Sequence, residues 1–211
     1  MIISSNDLRA RFERDADDPK KICLVPGISD DNGNFDQSTG VDLRLGRWFL
    51  TLRQSRVSKL PLKQSYESLD KFARSGREYF VPFGKSFILH PGRFVLGITL
   101  EWMRLPSDVA AYVTGKSSLG RSGLIIETAS GIQSGFSGCL ALEMTNVGEI
   151  PLEIYPGMKI CQLFFHATSD ESVYDGSFGG TRKPRLRPIS PDSILESLRE
   201  KQSPAAPLLR F

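Results

Sequence analysis

The densest chemistry in the chain lies in ten consecutive residues, Gly115-Lys116-Ser117-Ser118-Leu119-Gly120-Arg121-Ser122-Gly123-Leu124. Three glycines, three hydroxyls and two cations stand here between two apolar runs. Such a loop offers backbone N–H groups, hydroxyl donors and positive charge, which together suit a phosphate group. An ordinary polar turn has the same composition, and both readings stand on these residues alone. Downstream, Glu143 sits in the alternating run Leu142-Glu143-Met144, on the opposite face from its two neighbours. A lone carboxylate at such a position is ordinarily a solvent-facing strand residue, although partial burial among Cys139, Leu140 and Leu142 would raise its pKa.

Other chemistries find less support. The three cysteines, Cys23, Cys139 and Cys161, are widely spread, and there are only two histidines, His90 and His166. No CxxC, HxE or HxxxH spacing occurs, so no zinc site is expected. Cys139 and Cys161 lie in apolar runs as small hydrophobes, and both histidines sit beside strand ends as structural residues. A net charge of +3 does not by itself imply a nucleic-acid partner. Residues 182–187, Arg-Lys-Pro-Arg-Leu-Arg, form a local basic cluster that suits either an anion or a solvated tail. The opening MIISSNDLRARF has no basic stretch followed by an apolar one, and no apolar run nears the ~20 residues of a membrane helix. A cytoplasmic protein without a membrane partner is expected.

The elements that position these residues are short. Among 211 residues, 40% hydrophobic, stand 19 glycines and 13 prolines, a balance of one well-cored domain with many turns. Ser4 and Asp7 form a capping box, with Leu8 and Phe12 four apart, so a helix is expected over 5–14. Residues 15–40 are a polar excursion, and Val41–Leu45 alternates as a half-buried strand. Residues 53–78 are basic and irregular, an insertion whose Tyr66, Leu69, Phe72 and Ala73 have helical spacing. Strands are then expected at 79–81, 86–89, 94–100, 109–113, 124–126, 139–145, 152–154 and 159–165. HPGRFVLGITLE and YPGMKICQLFFH share a Pro-Gly turn entering a long strand, a weak internal repeat. Beyond residue 167 the apolar runs stop; 175–181 is Gly-rich, Ser190-Pro191 opens a short helix with Ile194, Leu195 and Leu198, and the end reads as a tail. The division is therefore 1–166 and 167–211, and many short strands imply an all-β barrel or sandwich.

Six segments, TGVDLRLG, FILHPGRFVLGITLE with LPSDVAAYV, GKSSLGRSGL, GIQSGFSG, LEMTNVG and YPGMKICQLFF, taken in this order resemble the dCTP deaminase branch of the dCTP deaminase/dUTPase superfamily. GKSSLGRSGL is similar to its serine motif, and Thr39 to Gly46 (TGVDLRLG) to its motif nearer the N-terminus. FILHPGRFVLGITLE with LPSDVAAYV resembles the stretch before the serine motif. Gly131 to Gly138 (GIQSGFSG), Leu142 to Gly148 (LEMTNVG) and YPGMKICQLFF complete the series, which runs from about residue 2 to 166.

The resemblance implies a mainly β fold, a distorted β-barrel or jelly roll of the dUTPase-like β-clip type with a few short helices. It implies a homotrimer with each site shared between subunits. It implies hydrolytic, zinc-independent deamination of dCTP, or of a modified dCTP, to dUTP and ammonia. Glu143 takes the part of general base, Ser117 holds the attacking water, and Arg121 orients Glu143. Lys116 and Ser118 face the phosphates, while Ala129, Ile132, Gln133, Gln162 and Tyr174 complete the nucleotide site. Magnesium accompanies the triphosphate, with Asp42 either near it or in a turn-capping or intra-barrel role.

Four departures qualify the likeness. Lys116 replaces an arginine, trading a bidentate fork for a point charge. Gln133 stands where both branches carry aspartate, the residue that serves the attacking water in dUTPases. The stretch 124–130 is one residue short, with Glu127 an added carboxylate. Deaminases close the site with a tyrosine, a Lys-Tyr pair and a glutamine, for which only Tyr174 stands as a counterpart here; instead Gly176 to Arg182 (GSFGGTR) resembles a dUTPase lid, with Phe178 over the base and Arg182 supplying charge. A dUTPase-like triphosphatase and a catalytically silent nucleotide-binding paralogue are the alternatives.

Overall fold

A computed structural model describes residues 1–27, 39–52, 75–126, 131–176 and 179–186. The chain divides into one compact unit of 1–52 and 77–185 and another of 53–76 and 186–211. Nearly all of the second lies outside the described residues, and with it the expected helices near Tyr66 and Ile194.

Helix α1 spans Ser5–Glu13, capped by Ser4, whose Oγ accepts the Asp7 N–H at 3.2 Å. Such a cap contributes about 0.5–2 kcal/mol. The helix buries Leu8 fully and sets Phe12 edge-on to Phe165, with centroids 6.1 Å apart. A bidentate contact from Arg11 to Asp108, at 3.0 and 2.9 Å, holds its far end.

The rest of the described chain is strand and turn. The strands are β1 (Cys23–Val25), β2 (Gly40–Arg44), β3 (Trp48–Leu52), β4 (Gly76–Phe80), β5 (Phe87–Leu89), β6 (Phe94–Arg104), β7 (Val109–Gly115), β8 (Leu124–Ile126), β9 (Gly131–Ile132), β10 (Ser137–Asn146), β11 (Leu152–Ile154) and β12 (Lys159–Ala167). One sheet runs β4-β3-β6-β10-β8, with β1 also on β6; a second runs β2-β12-β7-β9; β5 and β11 form a two-stranded ladder. Alternation in these strands buries Leu142 and Met144 of β10, Val95 and Met103 of β6, Leu43 of β2 and Leu163 and Phe165 of β12 in one apolar cluster. The two larger sheets meet at a corner, where Leu45 bridges Thr99 and the Gly46 N–H donates to the Ile98 carbonyl at 2.7 Å. The mainly β expectation holds, but the ladders among the described residues are three open sheets rather than one closed barrel.

The two Pro-Gly units have a structural meaning. Gly92 and Gly157 turn at φ +67° and +91°, a region glycine occupies without strain. Each leads into a central strand, β6 or β12, and the strands before the two turns pair with each other, Phe87 with Ile154 and Leu89 with Leu152.

Three strands were not expected. β1 lies inside the polar excursion, β3 follows β2 closely, and β9 is only two residues long. β4 starts at Gly76, within the expected insertion. β6 continues four residues past the expected end, through Glu101, because its register with β10 shifts there and the extra residues are absorbed in a bulge. Thr99 fills the gap: its Oγ1 accepts the Leu140 N–H at 2.9 Å and donates to the Glu101 carbonyl at 2.8 Å. No helix among the described residues is long and apolar enough to cross a membrane.

Candidate active site

Glu143 is placed by the alternation of β10. Leu142 and Met144 face the core fully buried, so Glu143 points the other way and is half-buried. It lines a cavity of about 280 Å³ with Ile132, Gln133, Leu140, Tyr174 and Thr181. Of the residues expected at the site, the fold thus gathers Glu143, Ile132, Gln133 and Tyr174 around one opening. Ile132 arrives on β9, paired to Ala111 of β7, and Gln133 follows it.

The next turn depends on a glycine. Gly135 has φ +76°, and a Cβ there would lie 2.9 Å from the Tyr174 nitrogen. The bare backbone lets residues 172–174 cross the turn, which seats Tyr174 against Phe136 with centroids 5.4 Å apart. The chain then returns along β10: the Gly180 N–H donates to the Ser137 carbonyl at 2.7 Å, and the Cys139 N–H to the Thr181 carbonyl at 2.9 Å. The tail therefore extends the sheet beside Glu143, and buried Thr181 forms part of the cavity wall. Arg182 lies outside this wall, in a neighbouring cavity with Trp48 and Trp102. Phe178 and Ala129 lie outside the described residues.

The serine loop is a separate cluster. Lys116 precedes a single helical turn, α2 (Ser117–Gly120), in which the Arg121 N–H donates to the Ser117 carbonyl at 3.0 Å. Ser117, Ser118 and Arg121 are exposed. The Lys116 ammonium is 2.7 Å from both carboxylate oxygens of Asp42, and Lys159 approaches the same carboxylate at 3.6 Å. Gln162 of β12 stands between Asp42 and Thr114 in strand register, its side chain so close over Gly40 that a Cβ there would lie 2.8 Å away. Lys116, Ser117, Ser118 and Arg121 are not among the residues lining the Glu143 cavity. Within one chain, the residues expected to handle the base and those expected to handle the phosphates form two groups.

Asp42 does not fit a protein-bound metal. Its carboxylate is engaged by two ammonium groups, and among the described residues no three His, Cys, Asp or Glu side chains are grouped to hold an ion. Burial pushes the Cys139 thiol up to about 11 and Cys161 up to about 12, which removes both as nucleophiles at neutral pH.

Sequence reasoning missed Glu101. It is 3% exposed, accepts the Arg44 N–H at 2.8 Å and lies 4.0 Å from the Arg44 guanidinium. Burial raises its pKa against the opposing effect of Arg44. A charge inside the apolar run ITLEWM was the available signal. It is a structural carboxylate, on the bulge that joins β6 to β10.

A family model described as dCTP deaminase-like matches residues 6–168. The chain is 36% identical over 211 residues to a "dCTP deaminase, dUMP-forming" of Parafrankia sp., covering 98% of this chain and 97% of the relative. It is 38% identical over 168 residues to the protein of that name from Dictyoglomus turgidum, with 79% and 80% covered. A crystal structure of 2'-deoxycytidine 5'-triphosphate deaminase from Agrobacterium tumefaciens is similar in fold, with TM-score 0.57 at 24% identity, over 79% of this chain and 48% of that one.

Proposed function

This chain belongs to the dCTP deaminase-like family, and we propose that it hydrolyses the C4 amine of dCTP with Glu143 as the proton-transfer residue. The observation that carries this reading is the cavity in which Glu143 faces Gln133, Ile132 and Tyr174. Water adds to C4 as its proton passes to the Glu143 carboxylate. That proton then goes to the amine, the C4–N bond breaks, and ammonia leaves as the carbonyl forms, the second proton of the water ending on N3. Tyr174 supplies an aromatic wall for the base, and the Gln133 amide is suited to the sugar.

Ser117 holds the water and Arg121 orients Glu143 in this reading, while Lys116, Ser118 and Gln162 serve the triphosphate. The separation of these residues from the Glu143 cavity favours a homotrimer in which one copy's loop completes another's site. The cavity's volume of about 280 Å³ also falls just below the ~300–1,000 Å³ usual for a small-molecule site. Magnesium enters as the counter-ion of the triphosphate, that is, as part of the substrate.

For the product we propose dUMP in place of the expected dUTP. The relatives' name is dUMP-forming, and we carry that over: a second water cleaves the α–β phosphoanhydride, giving dUMP and pyrophosphate. One observation favours a second reading, release of dUTP. Gln133 lines the cavity, and an amide cannot accept a proton from water as a carboxylate does. Incubating the protein with dCTP and magnesium and measuring ammonia, pyrophosphate, dUMP and dUTP tests both. Ammonia with pyrophosphate supports the first; ammonia with dUTP alone supports the second; pyrophosphate without ammonia makes the chain a triphosphatase, and neither product makes it silent.

A further inference from the structure

A second cavity, about 440 Å³, opens beside the first and shares Cys139 with it. Its volume lies inside the ~300–1,000 Å³ range of small-molecule sites. Trp48 and Trp102 line it, and so do Arg47 and Arg182. Among the described residues, no carboxylate lines it and neither guanidinium has an acidic partner within ion-pair distance. Lys183 is different: its ammonium lies 3.6 Å from the Trp48 ring centroid and 3.7 Å from Glu78.

Aromatic rings hold Arg47 in place: its guanidinium carbon lies 5.0 Å from the ring centroids of both Phe80 and Phe83, which orients the group and, among the described residues, leaves its charge without an acidic partner. Arg182 is held by its backbone, since the preceding Thr181 carbonyl accepts the Cys139 N–H at 2.9 Å. Two forked cations on ordered supports match phosphate oxygens. The indole rings offer stacking surface to a planar ring, and stacking alone does not select among bases.

We propose that this cavity is a second nucleotide site, distinct from the Glu143 cavity, which takes a nucleoside triphosphate through its phosphates on Arg47 and Arg182 and its base on Trp102. The basic run that begins at Arg182 then has a purpose that deamination does not use. Adjacent residues of one pairing segment face the two sites, Thr181 the first and Arg182 the second.

Both tryptophans of the chain line this cavity, so tryptophan emission reports on it. The full-length protein is titrated with dATP, which has no cytosine amine to lose, and the constant is checked by equilibrium dialysis against labelled dATP. Quenching with saturation is expected. Arg47→Glu weakens binding by about tenfold or more while dCTP turnover stays within about twofold of wild type, which also shows the variant is folded. Glu143→Gln binds dATP as wild type does. Inorganic tripolyphosphate and free deoxyadenosine each bind more weakly than dATP. No binding by either method overturns the proposal, as do an unchanged constant in Arg47→Glu, loss of binding in Glu143→Gln, or tripolyphosphate matching dATP. Failure of the deaminase reading appears separately, in ammonia release.

Discussion

Both carboxylate oxygens of Asp42 lie 2.7 Å from the Lys116 ammonium, although 74 residues separate the two in the chain. β12 runs between the strands that carry them, so the contact crosses the sheet and anchors the start of the serine loop. A lysine tethered in this way presents a point charge at a set place, where an arginine would present a fork.

Removing either partner separates anchoring from binding. On the proposed phosphate role of Lys116, Lys116→Ala should raise KM for dCTP by about tenfold or more with a smaller change in kcat, through loss of a ground-state contact. Asp42→Ala should lower stability by about 1 kcal/mol or less, because the pair is partly exposed. Steady-state kinetics and thermal melts read the two effects; an unchanged KM in Lys116→Ala would take that residue out of the phosphate site.

Glu143→Gln preserves shape and removes the proposed proton acceptor. Ammonia release should fall ~100–10,000-fold, with dCTP binding by calorimetry nearly unchanged. Wild-type turnover in this variant would assign the base elsewhere.

Two buried or paired carboxylates respond to pH in opposite directions. Asp108 is held below its ordinary value by the Arg11 hydrogen bonds, so its contribution is present above the unfolded pKa and is lost as pH falls below it. Glu101 is raised by burial, so its ionisation opposes folding as pH climbs past the unfolded value towards the folded one. Asp108→Asn should lower Tm at pH 7 by a margin that closes in acid. Glu101→Gln retains an acceptor for the Arg44 N–H and should raise Tm at pH 8, with the gain vanishing in acid. Calorimetric melts from pH 3 to 8 measure both, and a Glu101→Gln gain that grows in acid contradicts the sign.

Truncation after Asp175 removes the segment whose Gly180 and Thr181 backbone pairs with β10. The shortened protein should fold, because Tyr174 and the turn it covers remain, but with a lower Tm and an impaired Glu143 cavity. Sedimentation should show the oligomer of the full chain, expected to be a trimer. A truncated protein with full ammonia release would reduce the segment to a linker.

Much of this protein was decided locally and is legible in residue order. The Ser4 cap and the Leu8/Phe12 spacing specify α1, because a helix start depends on side chains within one turn. Alternation in LALEMTN puts Glu143 opposite Leu142 and Met144, because strand geometry alone sends neighbours to opposite faces. Loop 115–124 shows its donors in composition. What periodicity records is the apolar face of each element, and it carries no information about which element covers that face. Tertiary structure therefore decided the Asp42–Lys116 pair and the Glu101–Arg44 contact, which span 74 and 57 residues. It also decided that Thr181 pairs with Cys139 across 42 residues, which sends Thr181 into one cavity and Arg182 into another. Each of these arises where strands distant in sequence meet, and there the hydrogen-bonding needs of buried backbone, not the local pattern, select the partner.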